Sequence, residues 1–231
     1  MKNILFLLGC IAMLPVTAQK IIEKHIPLNQ HTLVSMNFQI SDSIRIITWN
    51  KSEVYIKSSI NVNNNQYNDN YQMSFDEADE RIRINGKLEF EKGKGCNGGV
   101  YNSNNGDSSS RCCCCSCTST IIHEVYVPEN VDIAVETING NIVLSGNIAG
   151  IKARTISGYI DLAVSPQRKA DLKLHTITGT MYSDIDLPLP REGGSMRRVG
   201  GSTVSTQING DGGKPISLQT ISGDIFVRKA G

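Results

Sequence analysis

The sequence predicts an all-β chain wound as a β-solenoid, and three observations predict it. The tetrapeptide Thr-Ile-x-Gly recurs at Thr137-Ile138-Asn139-Gly140, Thr155-Ile156-Ser157-Gly158, Thr176-Ile177-Thr178-Gly179 and Thr220-Ile221-Ser222-Gly223, with a weaker copy at Gln207-Ile208-Asn209-Gly210. Apolar residues alternate with period two around each copy, as in Val131, Ile133, Val135 and then Ile142 and Leu144, which is the pattern of a strand with one buried face. No long stretch carries helical periodicity, apart from a short turn at Phe75-Asp76-Glu77-Ala78-Asp79-Glu80.

The repeat defines the unit. Its glycines, Gly140, Gly158, Gly179, Gly210 and Gly223, are separated by 18, 21, 31 and 13 residues, within the range where each repeat is one stacked supersecondary unit. The adjacent Thr-Ile pair resets the strand phase before a glycine able to take positive φ, so each unit reads as strand, corner, strand. Coils stacked about 4.8 Å apart would bury one continuous core and pair the backbone above and below.

Before the repeats, Val54, Ile56, Ser58, Ile60 and Val62 share one face, preceded by Ile44-Arg45-Ile46; these read as earlier, less regular coils. The polar tract from Asn61 to Tyr71 reads as a loop at a strand end. Ile82, Ile84, Leu88 and Phe90 alternate through Asn85-Gly86, which reads as two strands that could be joined there by a hairpin turn. Arg191 to Ser202, with the Arg197-Arg198 pair, is a loop that accounts for the long step of 31. Open sheet edges need covering, a task for the segment near Ile21-Ile22-Glu23 or the Lys229-Ala230-Gly231 tail. The organisation is therefore 1–18 signal peptide, 19–94 irregular β coils, 95–118 Cys-rich loop insertion and 119–231 repeat-bearing coils.

Gln219-Thr220-Ile221-Ser222-Gly223-Asp224-Ile225, Val127-Pro128-Glu129-Asn130-Val131, and Ile208-Asn209-Gly210 with Gly213-Lys214-Pro215-Ile216 resemble the bacterial putative-adhesin family of exported β-helical proteins. The resemblance covers about residues 120 to 231 and implies a single elongated right-handed parallel β-helix in the cell envelope. It brings no catalytic residues with it.

The chain begins Met1-Lys2-Asn3, continues apolar from Ile4 to Val16, and reaches Val16-Thr17-Ala18 before Gln19. A basic start, a short apolar core and a small residue at the cut predict a secretory signal peptide cleaved between Ala18 and Gln19. The competing reading is a lipobox at Leu7-Leu8-Gly9-Cys10. No second stretch approaches the roughly 20 apolar residues of a membrane span. The 23 Lys and Arg against 22 Asp and Glu provide no electrostatic reason to expect nucleic acid or an anionic membrane as partner. The predicted location is the periplasm or the cell surface.

Cys96 and the run Cys112-Cys113-Cys114-Cys115-Ser116-Cys117 are not explained by the repeat. In an exported chain they favour a disulfide framework, with the connectivity open. If the strand runs back from Val127 without a bulge, Val125, His123, Ile121, Cys117, Cys115 and Cys113 share one face, and Cys112 and Cys114 the other. Residues two apart on a strand sit roughly 6.8 Å from each other, at the disulfide limit, so Cys96 is the natural partner. The alternative is a thiolate cluster that, with His123, would bind Cu(I) or Zn(II). His25, His31 and His175 are scattered.

Three function classes follow. The leading one is a non-catalytic envelope or surface protein without a cofactor, binding a surface glycan or protein through an extended repetitive face. The second is a metal-handling or redox module built on the cysteines. The third is a polysaccharide-active enzyme using Asp161, Asp184, Asp186 and Asp224, which follow glycine corners. Asp211-Gly212-Gly213 is only faintly similar to calcium-binding nonapeptide repeats, and no tandem copies occur.

Overall fold

A computed structural model describes residues 19–78, 80–90, 118–129, 131–188, 202–210 and 212–230. The predicted signal segment 1–18, Cys96 and the cysteines from 112 to 117, and the Arg197-Arg198 loop lie outside the described residues.

Among the described residues, fourteen strands form one mixed sheet. The first six are β1 (Lys20–Pro27), β2 (Leu33–Trp49), β3 (Glu53–Val62), β4 (Tyr71–Ala78), β5 (Arg81–Leu88) and β6 (Ser119–Pro128), with a short 3-10 turn at Asn68–Asn70. The repeats form β7 (Asp132–Ser145), β8 (Ile151–Ser157), β9 (Ile160–Val164), β10 (Ala170–Thr178), β11 (Met181–Ser183), β12 (Ser202–Ile208), β13 (Ile216–Ser222) and β14 (Ile225–Lys229).

The long strands β2 and β7 run parallel and organise the rest. Their pairing slips between Ile40 and Ser43, opposite the Gly140 corner, so each has an N-terminal and a C-terminal half. The N-terminal halves lie in a wall ordered β4-β5-β2-β7-β8-β13-β10-β12. The C-terminal halves lie in a second wall ordered β1-β3-β6-β2-β7-β9-β14-β11. Alternation in every strand sends one set of apolar side chains inward. Val34, Met36 and Phe38 of the first wall join Ile46, Val125, Ile160 and Val227 of the second in one fully buried cluster.

This corrects the predicted fold class. The molecule is neither a β-solenoid nor a right-handed parallel β-helix, because β1, β3, β6, β4, β5 and β12 make antiparallel pairs. Strand order also departs from chain order: β13, which carries the last repeat, lies between β8 and β10, whereas a solenoid adds coils sequentially. A local motif reports how one strand meets its neighbour, and says nothing of which neighbour that is.

Smaller expectations also change. Phe75 to Ala78 belongs to strand β4, and Asn85-Gly86 lies inside β5, which runs unbroken to Leu88. The C-terminal strand β14 is interior, between β9 and β11, and covers no edge. Among the described strands β1 is itself an edge, with Lys20, Lys24, His25 and Pro27 along it; charge and proline are devices that discourage further strand pairing.

The repeat has a physical explanation. The four threonines stand in register, Thr137 beside Thr155, Thr155 beside Thr220 and Thr220 beside Thr176. All are buried. Thr155 Oγ1 donates to the Gly140 carbonyl at 3.1 Å, Thr220 Oγ1 to Gly158 at 3.2 Å and Thr176 Oγ1 to Gly223 at 3.0 Å. A Cβ on Gly158 would lie 2.2 Å from the Gly140 carbonyl oxygen, and one on Gly223 2.0 Å from that of Gly158. Their φ values of +135° and +152° also disfavour any L side chain. Gly210 takes no part in this stack: its φ is +85°, no atom of the described residues lies within 4 Å of a Cβ placed there, and the buried Ile208 before it pairs with Ala170.

Candidate functional site

Among the described residues, the inward side of the sheet holds a polar cluster that resembles a catalytic constellation. His123 on β6 is fully buried, with Nδ1 2.7 Å from Ser58 Oγ and Nε2 3.1 Å from the Tyr71 hydroxyl. Its ring stacks on Phe38 at 4.0 Å. Burial drives the His123 pKa from 6.5 down to about 3 and raises that of Tyr71, because the charged form of each loses its hydration. Ser58, His123 and Tyr71 are all at most 1% exposed. A nucleophile must meet its substrate, so this trio is a structural bridge: Ser58 and His123 belong to the second wall and Tyr71 to the first. Gly86 allows it, since a Cβ there would fall 2.1 Å from the Tyr71 oxygen.

Three of the four carboxylates considered for catalysis bond to the sheet. Asp161 receives two hydrogen bonds from the Arg228 guanidinium, one of 2.8 Å from Nε; that bonding, then the Asp161 charge, raises the Arg228 pKa. Asp184 accepts the Lys229 backbone N–H at 2.7 Å, and Asp224 that of Thr180 at 2.8 Å. Asp186 is exposed. Among the described residues no group of three or more His, Cys, Asp or Glu could hold a metal ion. His31 donates to the Leu28 carbonyl and His175 meets Thr203. An open, mostly polar groove of about 470 Å³ lies between Thr32, Leu33 and Arg81.

The outward side of the second wall is different. Its register places Glu23, Lys57, Glu124, Arg45, Val143, Asp161, Phe226 and Tyr182 in one row across eight strands. The neighbouring row begins His25, Tyr55, Tyr126, Ile47 and Ser145. At one end the rings of His25, Tyr55, Trp49 and Tyr126 touch in sequence, with centroid separations of 4.5, 6.0 and 5.4 Å. Trp49 Nε1 donates to the Glu53 carbonyl at 2.8 Å, and Lys51 Nζ sits 4.6 Å from the Trp49 ring, a cation–π contact. Partial desolvation, then the adjacent Glu23 carboxylate, holds the Tyr55 pKa above its ordinary value.

At the other end Tyr182 stacks on Phe226 at 5.0 Å, and Tyr159 meets Phe226 edge-on at 6.1 Å. Tyr182 is 49% exposed and Tyr159 39%. On the same face the charges are paired, Glu23 with Lys57 on the strands of the first cluster, and Glu124 with Arg45 and Asp161 with Arg228 further across.

Sequence reasoning missed this face. Tyr55 and Tyr126 occupy the outward phase of strands whose inward phase was legible, so the signal was available as aromatic residues at positions where polar ones are usual. That they meet across β3 and β6 depends on a pairing no local pattern encodes.

No family model matches the chain, and no curated protein matches it significantly. Two solved structures are similar. One, described as a putative cell adhesion protein from Clostridium sporogenes, is 11% identical, with 92% of this chain and 100% of that chain covered and a TM-score of 0.54. The other, described as a putative adhesin from Bacteroides fragilis, is 8% identical over 93% of this chain and 99% of that one, with a TM-score of 0.23, too low to bear on the fold. No helix among the described residues is long and apolar enough to cross a membrane. What the comparison with the Clostridium protein establishes is a shared all-β fold.

Proposed function

We propose that this chain is a non-catalytic, exported surface protein that binds its partner through the outward side of the second wall. The observation that carries the reading is the pair of aromatic clusters on that face, Trp49 with Tyr55 and Tyr126, and Tyr182 with Phe226 and Tyr159. Half-exposed rings beside charged groups offer large contact area at low entropic cost, and nothing in the core packing requires them. Three of the four carboxylates of the competing enzyme reading, Asp161, Asp184 and Asp224, accept hydrogen bonds from Arg228 or backbone N–H groups. The adhesion description of the Clostridium protein agrees with a surface-binding role.

The test is retention of the purified protein on intact bacterial and epithelial cells and on isolated envelope fractions. Binding that falls when Tyr182 or Trp49 is replaced by alanine supports the proposal. Absence of binding to all of these surfaces overturns it.

A further inference from the structure

The two aromatic clusters lie on the same face, and the register fixes their separation. From Tyr126 on β6 to Phe226 on β14 the path crosses β2, β7 and β9, which is about 19 Å at the usual strand spacing. The ground between them carries charge: Arg45, Asp161 and Arg228 project there, among the small or aliphatic Ile47, Val143, Ser145 and Ala163.

This is the reverse of a typical protein-binding patch, in which an apolar centre is ringed by a polar rim. The face suits a long, narrow ligand that is amphipathic along its whole length. A pyranose has that character, with a C–H face that packs on aromatic rings and hydroxyl groups that both donate and accept. The charges support a neutral ligand, because each base on the face has an acidic partner: Lys57 has Glu23, Arg45 has Glu124 and Arg228 has Asp161. A polyanion would meet as many carboxylates as cations.

We propose that the outward face of the second wall binds one neutral glycan chain lying across the strands, with the Trp49 and Tyr182 clusters as its two end subsites. This rests on the surface-binding reading and specifies its ligand class. Two subsites linked by one ligand act together, so the polymer binds far more tightly than a fragment that reaches one cluster.

The experiment measures binding of the full protein to mixed-linkage β-glucan, galactomannan and dextran, with alginate as the anionic control, and to a disaccharide and a longer oligosaccharide of any polymer that binds. Tyr182→Ala and Trp49→Ala are compared singly and together, and Tyr126→Ala replaces Trp49→Ala if that variant does not fold by circular dichroism. The expected result is a loss of about a hundredfold in polymer affinity from either substitution, with no detectable binding in the double variant. The disaccharide should lose far less from either one.

Binding that depends on one cluster alone, that is equal for alginate, or that is absent for every neutral polysaccharide overturns the proposal. Cell binding that survives periodate oxidation of surface sugars also overturns it, while leaving the surface-binding function standing. Loss of all cell binding by the unaltered protein would instead remove the function itself.

Discussion

The repeat half of the sheet and the N-terminal half solve one problem by different means. Both must bend a continuous sheet and close buried polar groups at the bend. In β7 to β14 the solution is made from backbone: glycines that approach the next strand's carbonyl, and threonines that donate to it. In β1 to β6 it is made from side chains, with His123 bridging Ser58 and Tyr71 across the two walls. The first solution can be copied strand after strand because it needs only a short motif. The second occurs once because three elements must meet around a single ring.

The largest effect should come from the glycine stack. Gly158→Ala places a methyl group 2.2 Å from the Gly140 carbonyl at φ +135°, so backbone strain adds to a clash with atoms that have nowhere to move. Each such strained residue costs about 1–3 kcal/mol before the clash is counted. A loss of at least 3 kcal/mol should appear in urea unfolding. Gly210→Ala is the control, since its φ of +85° is also positive but no atom of the described residues lies within 4 Å of the added carbon; it should cost about 1–2 kcal/mol. Equal losses at the two sites would break the distinction between stacked and isolated glycines.

Next comes the side-chain bridge. His123→Leu leaves the Ser58 and Tyr71 hydroxyls buried without their partner, and each unsatisfied group costs about 1–3 kcal/mol. The bridge also has a pH signature that the glycine stack lacks. His123 is neutral in the fold, with a pKa of about 3 against 6.5 unfolded. The unfolded chain therefore binds the extra proton, and stability falls as pH drops from about 6.5 towards 3. Urea midpoints across that range should decline in the native protein and decline less steeply in His123→Leu. Parallel slopes would remove His123 from the account of acid sensitivity.

These two regions were unequally legible in the sequence. The Thr-Ile-x-Gly motif announced strands and corners because its geometry is local, and the alternation of Val54, Ile56, Ser58, Ile60 and Val62 announced a buried face, which all five occupy. Strand partners could not be read, because the Thr220 repeat looks the same whether β13 follows β10 or inserts beside β8. The uniform motif therefore suggested a solenoid where the sheet is mixed. The aromatic face was hidden for a related reason. Tyr55 and Tyr126 are 71 positions apart in the chain yet register partners, and only non-local pairing joins them.

A smaller effect should follow from the threonine ladder. Thr155→Val keeps the shape and the β-branch but removes the hydroxyl that donates to Gly140 and Ser157. A cost of about 1 kcal/mol is expected, or a fall of roughly 2–4 °C in the melting temperature of a chain this size. No change would mean that the ladder reflects strand preference and not hydrogen bonding.

The smallest effect belongs to the second residue of the motif. Unlike the threonine before it, this isoleucine points outward: Ile138 is 43% exposed, Ile177 45% and Ile221 36%. Exposed to water, it contributes little burial, and its β-branch suits a pleated strand in any case. Ile177→Thr keeps that branch, so it should change stability by no more than about 0.5 kcal/mol. A partner on this stripe would raise the cost, because association buries the isoleucines and couples folding to concentration. Melting measured over a hundredfold range of protein concentration separates the two cases. A small, concentration-independent loss leaves the stripe as strand-forming surface, and a loss that grows with concentration identifies the isoleucines as a second interface on the repeat half, opposite in chemistry to the aromatic and charged face of the second wall.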